Sequence, residues 1–145
     1  MQERIKIGSV NPEGYRSLLA VKNYIQKSGI SVIHLNLIEI RASQLNGCSF
    51  CIDVHTKAAR ATGEAENRIY LLQQWRELDL FSEEEKAILS LTEQITQIAM
   101  GVSAEVYSKA LNLLGEEYLS KIMLAIISIN AWNRIGVSTL LKPVY

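Results

Sequence analysis

Helix punctuation constrains this chain more than any other feature. Asn11 can cap a helix that begins at Pro12, where a missing N–H costs nothing because that position has no intrahelical partner. This segment carries Tyr15, Leu18, Leu19 and Ile25 and stops near Gly29. A second runs from about Ser31 to Asn46 and stops at Gly47. Its apolar residues (Val32, Ile33, Leu35, Leu37, Ile38, Ile40, Ala42, Leu45) go nearly all the way round, as in a central, buried helix. A third ends near Gly63, and a fourth, from Glu64, places Ile69, Leu72 and Trp75 at helical spacing. Ser82-Glu83-Glu84-Glu85 has the capping-box pattern and opens a helix with Ile88, Leu91, Ile95 and Ile98 on one side. Ser103 opens another that ends at Gly115, and the last spans roughly Glu117 to Gly136. The stretch from Ile122 to Ile129 is apolar enough for a strand. Leu119, Ile122, Ile126 and Asn130 keep a helical spacing there, and a lone strand would have no partner. The predicted fold is all-α.

A chain of 145 residues without repeat or linker reads as one domain over residues 1–145, large enough for a real core. Apolar residues make up 48%, which excludes a disordered chain. Fifteen basic and fifteen acidic side chains cancel, and no Lys/Arg cluster forms the footprint of a nucleic-acid binder. No apolar run reaches the length of a membrane span, and the N-terminal stretch from Met1 to Lys6 does not resemble a signal peptide. The expected location is the cytoplasm, with neither nucleic acid nor membrane as partner.

The chain's two cysteines lie in Asn46-Gly47-Cys48-Ser49-Phe50-Cys51, with His55 following. On a helix, Cys48 and Cys51 share a face at i, i+3, and Cys51 and His55 at i, i+4. Gly47 ends one helix and Cys48 begins the next. Thiols in a first turn feel the positive end of the helix dipole and unpaired N–H groups, and both favour the reactive thiolate. A neutral His55 can accept the proton of Cys51. In a reducing compartment such a pair is catalytic or metal-binding more often than a structural staple. Two other readings stand beside the redox dithiol. Buried, inert cysteines are one. The other is a zinc site, for which Cys48, Cys51 and His55 give three ligands and His34 is the only other histidine. No strand–helix alternation supports a thioredoxin-like context.

At these residues the chain resembles a known family. The stretch from Ile40 to Arg60, with its Asn-Gly-Cys-x-x-Cys-x-x-x-His core, is similar to the motif of the alkylhydroperoxidase AhpD-like branch of the carboxymuconolactone decarboxylase family. The similarity continues through Gly63-Glu64, Tyr70 and Trp75-Arg76-Glu77, and again in Ile129-Asn130-Ala131-Trp132-Asn133-Arg134. The resemblance implies an all-helical homotrimer or homohexamer with thiol peroxidase or disulfide-reductase activity in antioxidant defence. It implies that Cys51 attacks an organic hydroperoxide or hydrogen peroxide, that Cys48 resolves the sulfenic acid to a disulfide, and that His55 relays protons. It calls for no bound cofactor and no metal. An external dithiol, a lipoyl- or thioredoxin-type protein, restores the pair.

The family places a relay glutamate twelve residues before the first cysteine, where this chain has Asn36. An amide can orient a water or an imidazole but cannot take a proton. Glu39, one turn further along, reaches the site only if the helix is rotated or the relay runs through water, and otherwise reads as a surface charge paired with a neighbouring subunit. Ser43 and Asn46 could orient groups at the site or bond to local backbone. Tyr70, Trp75 and Trp132 fit a substrate pocket, a core or an interface. Asn133 and Arg134 fit structural hydrogen bonds or interface ion pairs, Glu64, Glu66 and Arg60 solvated helix ends, and His34 a structural histidine. A slow dithiol would make a redox-sensing or oligomeric partner module rather than a peroxidase. Lactone decarboxylation is disfavoured because members with that chemistry lack the cysteine pair.

Overall fold

The computed structural model describes residues 3–145, so Met1 and Gln2 of the N-terminal stretch lie outside the described residues. Seven α-helices follow in order: α1 (Ile7–Val10), α2 (Pro12–Lys27), α3 (Val32–Leu45), α4 (Ser49–Ala61), α5 (Glu66–Tyr70), α6 (Glu83–Thr96) and α7 (Ala104–Ser138). Among the described residues there is no strand, and no helix is long and apolar enough to cross a membrane.

Helix α3 is the hub, packed against α4, α6 and α7. Ile38 and Ala42 enter one core with Ile25 of α2, Ile88 and Leu91 of α6, and Ile122 and Ile126 of α7. Leu37 and Ile40 enter a second with Ala59, Ile69, Leu72, Trp75, Phe81 and Leu89. A helix wedged between two cores must be apolar on both sides, which is why this segment shows little amphipathic period. Each fully buried Leu or Ile adds about 1.5–3 kcal/mol of transfer free energy. Only the first turn departs from the pattern, with Val32 and Ile33 exposed.

The caps form as the sequence suggests. The Asn11 side chain accepts from Gly14 N–H, and Ser82 and Glu85 complete a reciprocal capping box. Three details differ. The short α1 precedes Asn11 and was not expected. The segment from Glu64 is broken into α5 and a 3₁₀ turn, Leu72–Gln74. Tertiary anchors override local period there. Arg68 bonds Glu64, Glu85 and the Leu80 carbonyl, while Trp75 Nε1 donates to Glu93 at 2.8 Å. A helix this short is marginal by itself, so such anchors decide its shape. Finally, Gly115 breaks α7 with φ 74°, but Gly136 does not stop it; the helix runs on to Ser138.

One charge cluster locks the hub from the side, and a second ties α5 to α6. Glu93 of α6 takes Arg41 of α3 at 2.8 Å and Arg76 at 2.5 Å. Glu64, expected to be solvated, is nearly buried and paired with Arg68, whereas Arg60 and Glu66 do form an exposed ion pair.

Candidate active site

Gly47, at φ 65°, turns the chain out of α3 and sets Cys48 as the N-cap of α4. The Cys48 N–H donates to the Ser43 carbonyl at 3.1 Å, and Cys48 Sγ accepts from Cys51 N–H at 3.3 Å. Cys48 and Cys51 are disulfide-bonded, with Cα atoms 5.2 Å apart, and both are buried. Their sulfurs sit against Gly136 of α7. A Cβ there would lie 2.7 Å from Cys48 Sγ and 3.2 Å from Cys51 Sγ, so the absence of a side chain makes room for the pair.

One turn beyond Cys51, His55 is nearly buried, and its Nδ1 lies 3.0 Å from Glu39 Oε2 across the α3–α4 pair. A carboxylate on Nδ1 fixes that nitrogen as the donor and leaves Nε2 of the neutral ring as the proton acceptor. Asn36, the position suggested by family spacing, is turned elsewhere. Its amide donates to Thr62 Oγ1 at 3.0 Å, at the far end of α4 from the cysteines. The two helices run as an antiparallel hairpin. Positions early in α3 therefore meet the end of α4, and only later ones reach His55.

Ser43 and Asn46 belong to the supporting framework. Ser43 Oγ donates to the Glu39 carbonyl at 2.6 Å and accepts from Asn133 Nδ2 at 2.9 Å. Asn46 donates to both Asn130 and Asn133, and Asn130 donates to Thr96. This buried amide chain ties the turn before the cysteines to α7 and leaves few backbone options for the loop. Arg134 bonds back onto Asn130 of its own helix. His34 lies outside this region, with Nδ1 2.8 Å from the Tyr118 hydroxyl. Burial holds its pKa below the ordinary imidazole value.

Cys51, His55 and Glu39 open onto a cavity of about 380 Å³. Its walls are Tyr15, Leu19 and Lys22 of α2, Phe50 and Val54 of α4, and Ser128, Ile129, Trp132 and Ile135 of α7. Lys6 and Ile7 come from the N-terminal side, and Thr139 and Leu141 from beyond α7. Cys48 is not part of the wall. Of the three aromatic residues singled out in the sequence, only Trp132 lines this space, stacked edge-on with Tyr15 at 5.1 Å. Trp75 is in the second core and Tyr70 is exposed. In the sequence Gly136 reads only as a helix end, and Lys22 does not stand out. Gly136 had a signal, since it follows Trp132 at i, i+4; Lys22 had none.

Known proteins agree with this architecture. Residues 12–94 match the model of the carboxymuconolactone decarboxylase family. The uncharacterized protein YdfG of Bacillus subtilis is 42% identical over 139 residues, 95% of each chain. A crystal structure of a protein of unknown function from Agrobacterium tumefaciens, described as a candidate antioxidant defence protein AhpD, superposes with TM-score 0.95 at 35% identity over 99% of both chains. An uncharacterized peroxidase-related protein from Silicibacter shares the fold, with TM-score 0.80 at 18% identity over 92% of this chain and 72% of its own. The chain thus belongs to the carboxymuconolactone decarboxylase family, on its AhpD-like branch.

Proposed function

We propose that this protein is a thiol-dependent hydroperoxidase that cycles between the Cys48–Cys51 dithiol and disulfide. The observation that carries the reading is the arrangement at Cys51. It lines the cavity, sits one turn from His55, and His55 is held by Glu39. The Cys51 thiol gives its proton to His55 Nε2, and the thiolate attacks the terminal oxygen of the peroxide. The O–O bond breaks, Cys51 becomes a sulfenic acid, and the leaving alkoxide takes the proton from His55 to depart as an alcohol. The Cys48 thiol then displaces water from the sulfenic acid and forms the disulfide. An external dithiol supplies the two electrons and two protons that restore the pair. Because Cys51 faces the cavity and Cys48 does not, the peroxide meets Cys51 first.

Such a cycle belongs in the reducing cytoplasm, with a lipoyl- or thioredoxin-type protein as donor. The exposed apolar residues Ile98, Met100 and Ile127 favour assembly with further copies, as a trimer or hexamer.

The test is one equivalent of organic hydroperoxide added to fully reduced protein, followed by alkylation and intact mass. Rapid conversion to the intramolecular disulfide is the expected result. Cys51→Ser should abolish peroxide consumption, and Cys48→Ser should leave a sulfenic acid that a dimedone-type probe traps. Thiols that stay free, or full turnover in both variants, would defeat the proposal. Oxidation without turnover by any dithiol donor would mark a redox sensor instead.

A further inference from the structure

We propose that the cavity over Cys51 takes hydroperoxides that carry a carboxylate, held by the ammonium of Lys22. The proposal rests on the hydroperoxidase reading and names its substrate class. Lys22 is half-buried in the cavity wall, with Nζ 5.9 Å from the centroid of the Trp132 ring. It has no ion-pair partner among the described residues. The one carboxylate in the wall, Glu39, is engaged by His55. A second cation, Lys6, stands at the exposed rim, with Glu3 3.8 Å away. The rest of the wall is largely apolar. A lone ammonium partly withdrawn from water, in such surroundings, is matched by a monoanion on an apolar chain.

Length and volume bound the ligand. Gly136 touches the sulfurs, Trp132 lies one turn earlier on the same face of α7, and Lys22 lies over Trp132. The span from the sulfurs to the ammonium is therefore on the order of 10 Å, given a rise of about 1.5 Å per helical residue. A cavity of about 380 Å³ has room for a chain of about a dozen heavy atoms, since a water-sized group needs only about 10–15 Å³ of such space. An ω-hydroperoxyoctanoate fits that volume with its chain bent across the cavity, since fully extended it is longer than the span. It would lose its terminal peroxide oxygen to Cys51 and leave as the ω-hydroxy acid.

Two measurements test this in the parent protein, Lys22→Gln and Lys22→Arg. Octanoate and methyl octanoate are titrated into the disulfide form by calorimetry, and KM is measured for ω-hydroperoxyoctanoate and its methyl ester. Octanoate should bind more tightly than its ester. Losing one charge-assisted contact in Lys22→Gln should weaken octanoate and raise the KM of the acid about tenfold. The ester should lose far less than the acid, and Lys22→Arg should keep the preference. Equal binding of acid and ester, or equal loss of both in Lys22→Gln, would overturn the carboxylate site. Thiols that ignore hydrogen peroxide as well would overturn the hydroperoxidase reading instead; the octanoate titration needs no turnover and still decides whether Lys22 binds the carboxylate.

Discussion

Replacing Gly136 by alanine should strike the sulfur pair directly. The new Cβ would stand 2.7 Å from Cys48 Sγ and 3.2 Å from Cys51 Sγ. Non-bonded heavy atoms prefer about 3.5–4.0 Å, so the methyl overlaps one sulfur by roughly 1 Å. Neither sulfur can yield cheaply. They are bonded to each other, and the turn beneath them is tied by the Cys48 N–H bond to Ser43. Two effects oppose. Alanine gains about 0.5–1 kcal/mol over glycine in a helix interior. Overpacking a filled site costs about 1–3 kcal/mol. The clash should win by about 1–2 kcal/mol, a fall of about 3–6 °C in Tm for a domain of this size. Melting of the oxidised protein by circular dichroism reads it. The reduced protein should lose less, because two free thiols can turn away separately. Gly8→Ala is the control, since its Cβ would meet Tyr15 only at 3.4 Å, an ordinary contact. An alanine variant at position 136 that melts at or above the parent in both redox states would show that the sulfurs do not depend on that gap.

Glu39→Gln should lower kcat/KM for peroxide about 10–100-fold by loosening His55, the usual scale for a partner that orients a functional imidazole. Asn36→Glu should not raise the rate, because the new carboxylate would face Thr62; stopped-flow turnover of both variants decides between the two positions. Acid should weaken the fold through Glu93. Burial pushes its carboxyl up, but the bonds from Arg76, Trp75 and Arg41 outweigh burial and hold it below its ordinary value of 4.5. With the folded pKa below the unfolded one, this contribution is complete above 4.5 and is lost as pH falls through the folded value. Urea midpoints across that range should drop, and Glu93→Gln should flatten the drop while costing about 2 kcal/mol at neutral pH.

Local chemistry was legible in the sequence wherever one helix end or one turn carries it. Asn11-Pro12, Gly47, the Ser82 capping box and Ser103 all mark real boundaries. The cysteine pair and His55 share a helix, so their spacing alone brings them to one face. What depended on packing was not legible. The break after Tyr70 reflects anchors on Glu85 and Glu93, residues far along the chain. The role of Gly136 reflects sulfurs on another helix.

The carboxylate shows why. Moving from Asn36 to Glu39 rotates the side chain by about 300° and advances it by about 4.5 Å along α3. Sequence spacing converts to distance from His55 only when the turn joining α3 to α4 and their relative rotation are known. Here Gly47 closes a tight turn, and the Ser43 carbonyl receives the Cys48 N–H. That turn fixes the hairpin so that Glu39 meets His55 while Asn36 meets Thr62. A relay needs a carboxylate on the imidazole, not a carboxylate at a given count from the cysteine. The apparent loss at Asn36 is therefore no argument against proton transfer at this site; the hairpin delivers an acid to the same ring from a different position.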